Sequence, residues 1–104
     1  MPKKIRWTRL ALCDLDELMG YMAEDNPDAA AEIAGKIWET TRMLSDHPAM
    51  GRPGRVPGTR ELIVAGTAYI TPYRVVSNEV QILRVLHGAR KWPSRLPTPD
   101  TREP

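Results

Sequence analysis

The chain has 104 residues, of which 41% are hydrophobic and 27% are charged, and its formal net charge is +2. This length predicts one domain with a single core, and this composition excludes a disordered chain. No uncharged apolar stretch approaches the roughly 18 residues of a membrane span, and no apolar signal core follows the basic N-terminus, so neither a membrane helix nor an export signal is expected.

The first half of the chain predicts a short strand followed by two helices. Residues 3–8 alternate between polar and apolar side chains, which is typical of a strand. Thr8 is expected to cap a helix that continues to about Asp25. Asn26 is expected to cap a second helix, which begins at Pro27 and continues to about Asp46. Both helices carry an apolar stripe, and the near absence of a linker predicts an antiparallel hairpin.

The second half predicts a loop and three strands. Residues 47–58 contain three prolines and three glycines, which predicts an extended loop. The runs 60–65, 68–76 and 79–87 are rich in β-branched residues and are separated by short turns, so they should form an antiparallel meander. Pro72 lacks an amide donor, which predicts a bulge or an edge position in its strand.

The order β-α-α-β-β-β predicts an α+β fold in which the helix hairpin packs on one face of a small antiparallel sheet. A core of this size cannot cover both faces, so the other face should be partly exposed. A partner peptide is expected on that exposed face or in an apolar groove beside the hairpin. Residues 1–93 should form the domain, and the proline-rich residues 94–104 a poorly ordered tail.

Charge is unevenly distributed along the chain. Residues 10–49 contain nine acidic and two basic residues, a local charge of −7, whereas residues 50–96 contain eight basic and two acidic residues, a local charge of +6. This asymmetry predicts two surfaces of opposite sign. The alternative is that the acids only hydrate helix faces and the arginines only flank strands.

Cysteine and histidine are rare in this chain. Cys13 is the only cysteine, which is typical of a protein from the reducing cytoplasm, where we expect this one to act. Cys13, His47 and His87 do not match any familiar metal-ligand spacing. We therefore predict no metal site and no cofactor.

Each late strand carries one arginine, at Arg60, Arg74 and Arg84. If the strands align so that these side chains share a face, three guanidinium groups converge on a concavity suited to phosphate or carboxylate. The alternative is that they pair with acids at the rim of the sheet, because strand parity does not determine how neighbouring strands align.

His87 ends the last strand, and its intrinsic pKa suits a general acid or base near neutral pH. Strand parity places it on the face opposite Arg84, unless the strand twists or bulges before Gly88. A ribonuclease that uses no metal needs a base, an acid and a cation, and here only Tyr69 or Tyr73 could complete the set. The alternative is a strand-end histidine bonded to the backbone.

Arg90, Lys91 and Trp92 follow this histidine. A tryptophan beside two cations can stack on a nucleic-acid base. In the alternative interpretation, Trp92 folds back to cap the core before Pro93 ends the element.

Taken in order, these motifs resemble the RelE/ParE superfamily of toxins from bacterial type II toxin–antitoxin systems. The resemblance extends over residues 5 to 93 and is carried by "GTREL", "PYRV" and "ILRVLHGAR". It implies two helices against an antiparallel sheet, a growth-inhibiting function, and a co-encoded antitoxin that wraps the toxin and blocks it. The resemblance is also compatible with a higher-order toxin–antitoxin complex.

The superfamily divides by target, and the resemblance points in two directions. RelE-like members are ribosome-dependent mRNA endonucleases, whereas ParE-like members poison DNA gyrase and are not known as nucleases. The acidic helices and the "ILRVLH" ending favour the ParE-like branch. We therefore expect a gyrase toxin rather than an enzyme, and the residues expected to bind its target are Arg84, Arg90, Lys91 and Trp92.

The alternative is a RelE-like endoribonuclease that requires no metal. In that case the residues whose positions resemble those used in the ribonuclease branch are catalytic, namely His87, Arg60, Arg74 and Arg84.

Overall fold

The computed structural model describes residues 2–97, which begin with strand β1 (Lys4–Trp7). Ile5 and Trp7 are half-buried and pack against the core, whereas Lys4 and Arg6 are exposed. The alternation of polar and apolar residues therefore places one side of β1 on the core, as predicted.

Helix α1 (Arg9–Asp25) and helix α2 (Pro27–Arg42) follow with a single residue between them. The Thr8 side chain caps α1 by accepting a hydrogen bond from the Ala11 amide at 3.2 Å. Asn26 caps α2 in the same way, through the Ala29 amide at 3.1 Å. A single 3₁₀ turn at residues 43–45 extends α2 toward its predicted end. Both predicted caps are confirmed, and neither helix in residues 2–97 is long and apolar enough to cross a membrane.

The remaining elements are strands, whose bounds are β2 (Arg52–Pro53), β3 (Arg60–Ile63), β4 (Tyr69–Val76), β5 (Glu79–Ile82) and β6 (Leu86–His87). The sheet order is β1-β5-β4-β3-β2, and β6 pairs with β4. All pairs are antiparallel except β1 with β5, which is parallel; the helix hairpin and three strands separate these two along the chain. The two-residue strand β2 lies inside the predicted loop and is too short to show a sequence pattern.

The run 79–87, predicted as one strand, is interrupted by a β-bulge. Tyr73 pairs with Ile82, and Ile70 pairs with Leu86. An advance of three residues along β4 therefore corresponds to an advance of four residues along the chain that pairs with it. The extra residue lies within residues 83–85. Pro72 lies directly opposite, in the middle of the sheet, and accepts a hydrogen bond from the Leu83 amide at 2.9 Å. Pro72 was predicted to lie at a bulge or at an edge of its strand. It lies opposite a bulge, but the extra residue belongs to the neighbouring strand.

The core lies between the helix hairpin and the sheet. One cluster of buried side chains centres on Leu44, Tyr73 and Ile82, and a second on Leu18, Ile37, Val64 and Val85. Val85 belongs to this helix-facing core only because the bulge shifts the alternation of the strand by one residue.

The sheet face opposite the helices, here called the outer face, is only partly exposed. Glu61 and Gln81 on this face are only 3% and 4% exposed. The chain itself covers part of it, since the Arg55 guanidinium binds Glu61 and also lies 3.5 Å over the Trp92 ring. The face is partly exposed, as predicted, but the contribution of the segment after β6 was not predicted, because that segment has no periodicity that would reveal where it packs.

The predicted domain boundary at residue 93 falls within this segment, and residues 94–97 have no regular secondary structure. The rest of the predicted tail, residues 98–104, lies outside the described residues.

Candidate functional site

Arg60 lies on the helix-facing side of β3, beside Tyr73 of β4. Its Nη1 donates to the carbonyl oxygens of Gly51 at 2.7 Å and Ala49 at 3.4 Å. The Tyr73 hydroxyl binds the same loop, since it accepts from the Gly51 amide and donates to the Pro48 carbonyl, both at 2.8 Å. Burial raises the pKa of Tyr73, so its hydroxyl stays protonated near neutral pH. Both side chains hold a loop in place.

Arg74 follows Tyr73 along β4 and therefore points to the outer face. It is half-buried, lies across from Gln81, and makes no ion pair within residues 2–97. Arg60 and Arg74 thus lie on opposite sides of the sheet, and the guanidinium groups do not converge.

Arg84 lies in the bulge and binds Asp14 of α1 with two hydrogen bonds, from Nε to Oδ2 at 2.6 Å and from Nη2 to Oδ1 at 2.9 Å. The hydrogen bond to Asp14 raises the pKa of Arg84 against the opposing effect of burial. This is the alternative in which a strand arginine pairs with an acid at the rim of the sheet. The predicted three-arginine concavity is therefore not formed, because two of its members face different sides and the third is neutralised.

His87 pairs with Tyr69 across the β4–β6 ladder, and their rings meet edge to face with centroids 5.5 Å apart. The Ala89 amide donates to His87 Nδ1 at 3.2 Å, and the Arg90 amide donates to the His87 carbonyl at 3.2 Å. His87 thus has the backbone bonds expected of a strand-end histidine.

The His87 ring borders a cavity of about 750 Å³, here called the His87 cavity. Three of the four residues predicted to bind the target, Arg90, Lys91 and Trp92, line the same cavity. The opposite wall comes from the two helices and consists of Asp14, Glu17, Leu18, Tyr21, Met22 and Ile33. The cavity therefore has an acidic and apolar wall facing a basic and aromatic one.

Trp92 joins this cavity to the outer face. Its ring is half-buried and packs under the Arg55 guanidinium. A guanidinium thus already occupies one face of the ring, and the ring packs against Arg55 and not in either core cluster.

The sequence suggested Glu61, Glu79 or helix acids as partners of the strand arginines, but it did not show that Asp14 and Glu61 organise this region. Glu61 receives hydrogen bonds from Arg52 Nη2 at 2.9 Å, from the Arg55 amide at 2.9 Å and from Arg55 Nε at 3.1 Å. Asp14 could have been found, because it falls on the same helical face as Ala11 and Leu18, where a charged side chain needs a partner. Nothing in the local pattern identifies Glu61, since its partners come from an irregular loop.

Comparison with known proteins decides the family. The model of the family described as the ParE toxin of the type II toxin–antitoxin system, parDE, matches residues 5–92. This chain belongs to the ParE toxin family. The predicted membership of the RelE/ParE superfamily is confirmed, and the chain is a toxin of the type II toxin–antitoxin class.

Relatives of this ParE-family toxin carry both branch names. It is 48% identical over 94 residues to the protein Y4kP of Sinorhizobium fredii, covering 90% of this chain and 97% of the relative. It is 32% identical over 87 residues to toxin RelE2 of Caulobacter vibrioides, covering 84% of this chain and 97% of the relative. It is 33% identical over 86 residues to toxin ParE1 of the same organism, covering 82% and 88% respectively. Sequence identity thus does not separate the branches.

Two solved structures share the fold. The chromosomal ParDE toxin–antitoxin system from P. aeruginosa superposes with a TM-score of 0.74 at 32% identity, covering 80% of this chain and 92% of the other. The toxin–antitoxin complex RelBE2 from Mycobacterium tuberculosis superposes with a TM-score of 0.56 at 28% identity, covering 84% and 99%. The predicted α+β class, with a helix hairpin on one face of the sheet, is confirmed.

Proposed function

We propose that this toxin acts as ParE-like toxins do, by binding DNA gyrase, and that the His87 cavity is where it contacts its target. The observation that carries the proposal is the arrangement of the candidate catalytic residues. Arg60 and Arg74 lie on opposite sides of the sheet, Arg84 is neutralised by Asp14, and His87 Nδ1 is bonded to the backbone. Cleavage of RNA without a metal needs an acid, a base and a cation around one phosphate, and these residues do not surround a common point.

We further propose that a co-encoded antitoxin neutralises this chain in the cytoplasm, including within a higher-order complex. Both structural relatives are toxin–antitoxin systems, which supports a partner of this kind. Purification with the product of the neighbouring reading frame should raise the melting temperature of this chain by mass action. A chain that alone is harmless to cells and thermally unchanged by that product would contradict the proposal.

A RelE-like mRNA endonuclease is the second candidate, and the His87 cavity itself favours it. His87 shares the cavity with Tyr69, Arg90 and Lys91, which brings one titratable ring close to two cations and a phenol. An RNA phosphate bound there would meet the basic wall, although the acidic helix wall opposes its approach. The catalytic set in this case centres on His87 and not on the strand arginines.

Two variants of exposed or half-buried side chains separate these candidates. If the target is gyrase, we expect His87→Ala to retain most of its toxicity and Arg90→Ala to lose more, since arginine is enriched among residues that dominate binding. If the chain is a nuclease, His87→Ala should lose about 10²–10⁴ in cleavage rate. The measurements are viable counts after induction, gyrase supercoiling with purified toxin, and cleavage of messages on ribosomes.

The wild-type protein provides the decisive control. Double-strand breaks and loss of supercoiling before any fall in protein synthesis support gyrase as target. An early stop in translation with cut messages, abolished in a folded His87→Ala variant, would overturn the proposal. Circular dichroism shows whether each variant is folded.

A further inference from the structure

We propose that Asp14 of α1 is a positioning residue for the segment 87–92, and that it acts through the β-bulge between β5 and β6. The proposal rests on the proposed role of the His87 cavity in binding the target. Asp14 lies on the opposite wall of that cavity and is bound to the strand from which the segment emerges.

The contacts of Asp14 are concentrated on the bulge. Besides its two hydrogen bonds with Arg84, Asp14 Oδ2 accepts from the Val85 amide at 2.9 Å. The Asp14 and Arg84 side chains are only 13% and 21% exposed, so water competes little for these bonds. A bulge disrupts the regular ladder, and a residue there needs another partner for its backbone amide. The Asp14 carboxylate provides that partner for Val85.

The bulge determines which side of the sheet His87 faces. Val80 and Ile82 face the helices, and without an extra residue regular alternation would turn Val85 and His87 to the outer face. With the bulge, Val85 packs in the core beside Leu18, and His87 lies against Tyr69 in the His87 cavity. By holding the bulge, Asp14 therefore places His87 and the residues that follow it.

The test compares Asp14→Ala and Asp14→Asn with wild type in the full chain. Removing the carboxylate should increase hydrogen exchange at the Val85 amide more than about tenfold, because a hydrogen bond to a charged group is lost. The nuclear Overhauser contact between the His87 and Tyr69 rings should disappear, and killing measured by viable counts should fall at least about tenfold. Asp14→Asn keeps an oxygen acceptor for the Val85 amide. Its hydrogen exchange and its killing should therefore be intermediate between those of wild type and Asp14→Ala.

Two controls separate positioning from general effects. Asp16→Asn removes an exposed acid two residues away on the same helix and should leave all three readouts unchanged. Asn26→Ala destabilises the start of α2 without touching the bulge, so it shows how much toxicity is lost through stability alone.

A folded Asp14→Ala variant that keeps the His87–Tyr69 contact overturns the proposal, as does one that loses the contact but kills normally. If Asp14→Ala does not fold, Asp14→Asn decides by the same criteria. These readouts are ratios to wild type and do not depend on which target is attacked, so this proposal and the choice of gyrase can fail separately.

Discussion

At Glu61, one backbone amide and two arginine side chains hold a carboxylate that is only 3% exposed. Burial opposes ionisation of such a group, and the hydrogen bonds from Arg55 and Arg52 more than offset it, so the pKa of Glu61 is lowered. Arg55 also stacks on Trp92, and Glu61 thereby links the loop before β3 to the segment after β6. A single buried carboxylate ties together two irregular parts of the chain.

Glu61→Gln should reduce the free energy of unfolding at about pH 7 by about 1–3 kcal/mol, since charged hydrogen bonds are lost. The folded-state pKa of Glu61 is lowered. The stabilisation that its carboxylate provides is therefore present above the unfolded-state pKa of 4.5 and is lost as the pH falls through the folded-state pKa. The difference between wild type and variant should therefore shrink toward about pH 3. Urea unfolding of both proteins at both pH values measures this difference in unfolding free energy. An equal difference at the two pH values would contradict a lowered pKa for Glu61.

At the scale of elements, the start of α1 and the bulge support each other. The Thr8 hydroxyl accepts from the Ala11 amide and also donates to the Leu83 carbonyl at 2.9 Å. Asp14, less than two turns further along α1, holds the next part of the bulge through Val85. The helix thus stabilises an irregular strand that the sheet ladder alone would not specify.

This double role predicts unequal costs for the two helix caps. Asn26→Ala should cost about 1 kcal/mol of unfolding free energy, the usual value for a lost cap. Thr8→Ala should cost about 1 kcal/mol more, because it also leaves the buried Leu83 carbonyl without its hydroxyl donor. Thr8→Ser retains both bonds and serves as the control in chemical unfolding. Equal losses at Thr8 and Asn26 would show that the bond to Leu83 contributes nothing.

At the scale of the whole molecule, the acidic half of the sequence forms the helix layer and the basic half forms the sheet and the segment after it. The His87 cavity lies where the two meet, with Asp14 and Glu17 on one wall and Arg90 and Lys91 on the other. A partner that fits this cavity would need both signs of charge along its length, which favours a protein surface over a nucleic acid.

The segment after β6 should depend on the stack between Arg55 and Trp92. Trp92→Ala should lower the free energy of unfolding by about 1 kcal/mol, because Arg55 loses its aromatic contact. It should also increase hydrogen exchange in residues 88–97 while leaving α1 and α2 unchanged. Lys91→Ala, at an exposed neighbouring position, is the matched control. A Trp92→Ala variant with unchanged exchange in this segment would show that other contacts hold it.

The sequence by itself determined the local elements and the family. Helix caps, apolar stripes and strand alternation depend on residues within a few positions of one another, so Thr8, Asn26 and the inward side of β1 were predicted correctly. The ordered motifs identified the superfamily, because they extend over nearly the whole domain.

Only the tertiary structure decided which residues meet. The parallel pairing of β1 with β5 and the extra residue between β5 and β6 are matters of register between distant segments, and a one-residue shift reverses the side that every following residue faces. Arg60 and Arg74 lie on opposite sides because the β3–β4 register pairs Arg60 with Tyr73. The extra residue turns Val85 and His87 toward the helices. The pairing of Arg84 with Asp14 joins positions 70 residues apart. It forms because a buried charge needs a partner of opposite charge, and the spacing of residues along the chain does not specify which partner that is.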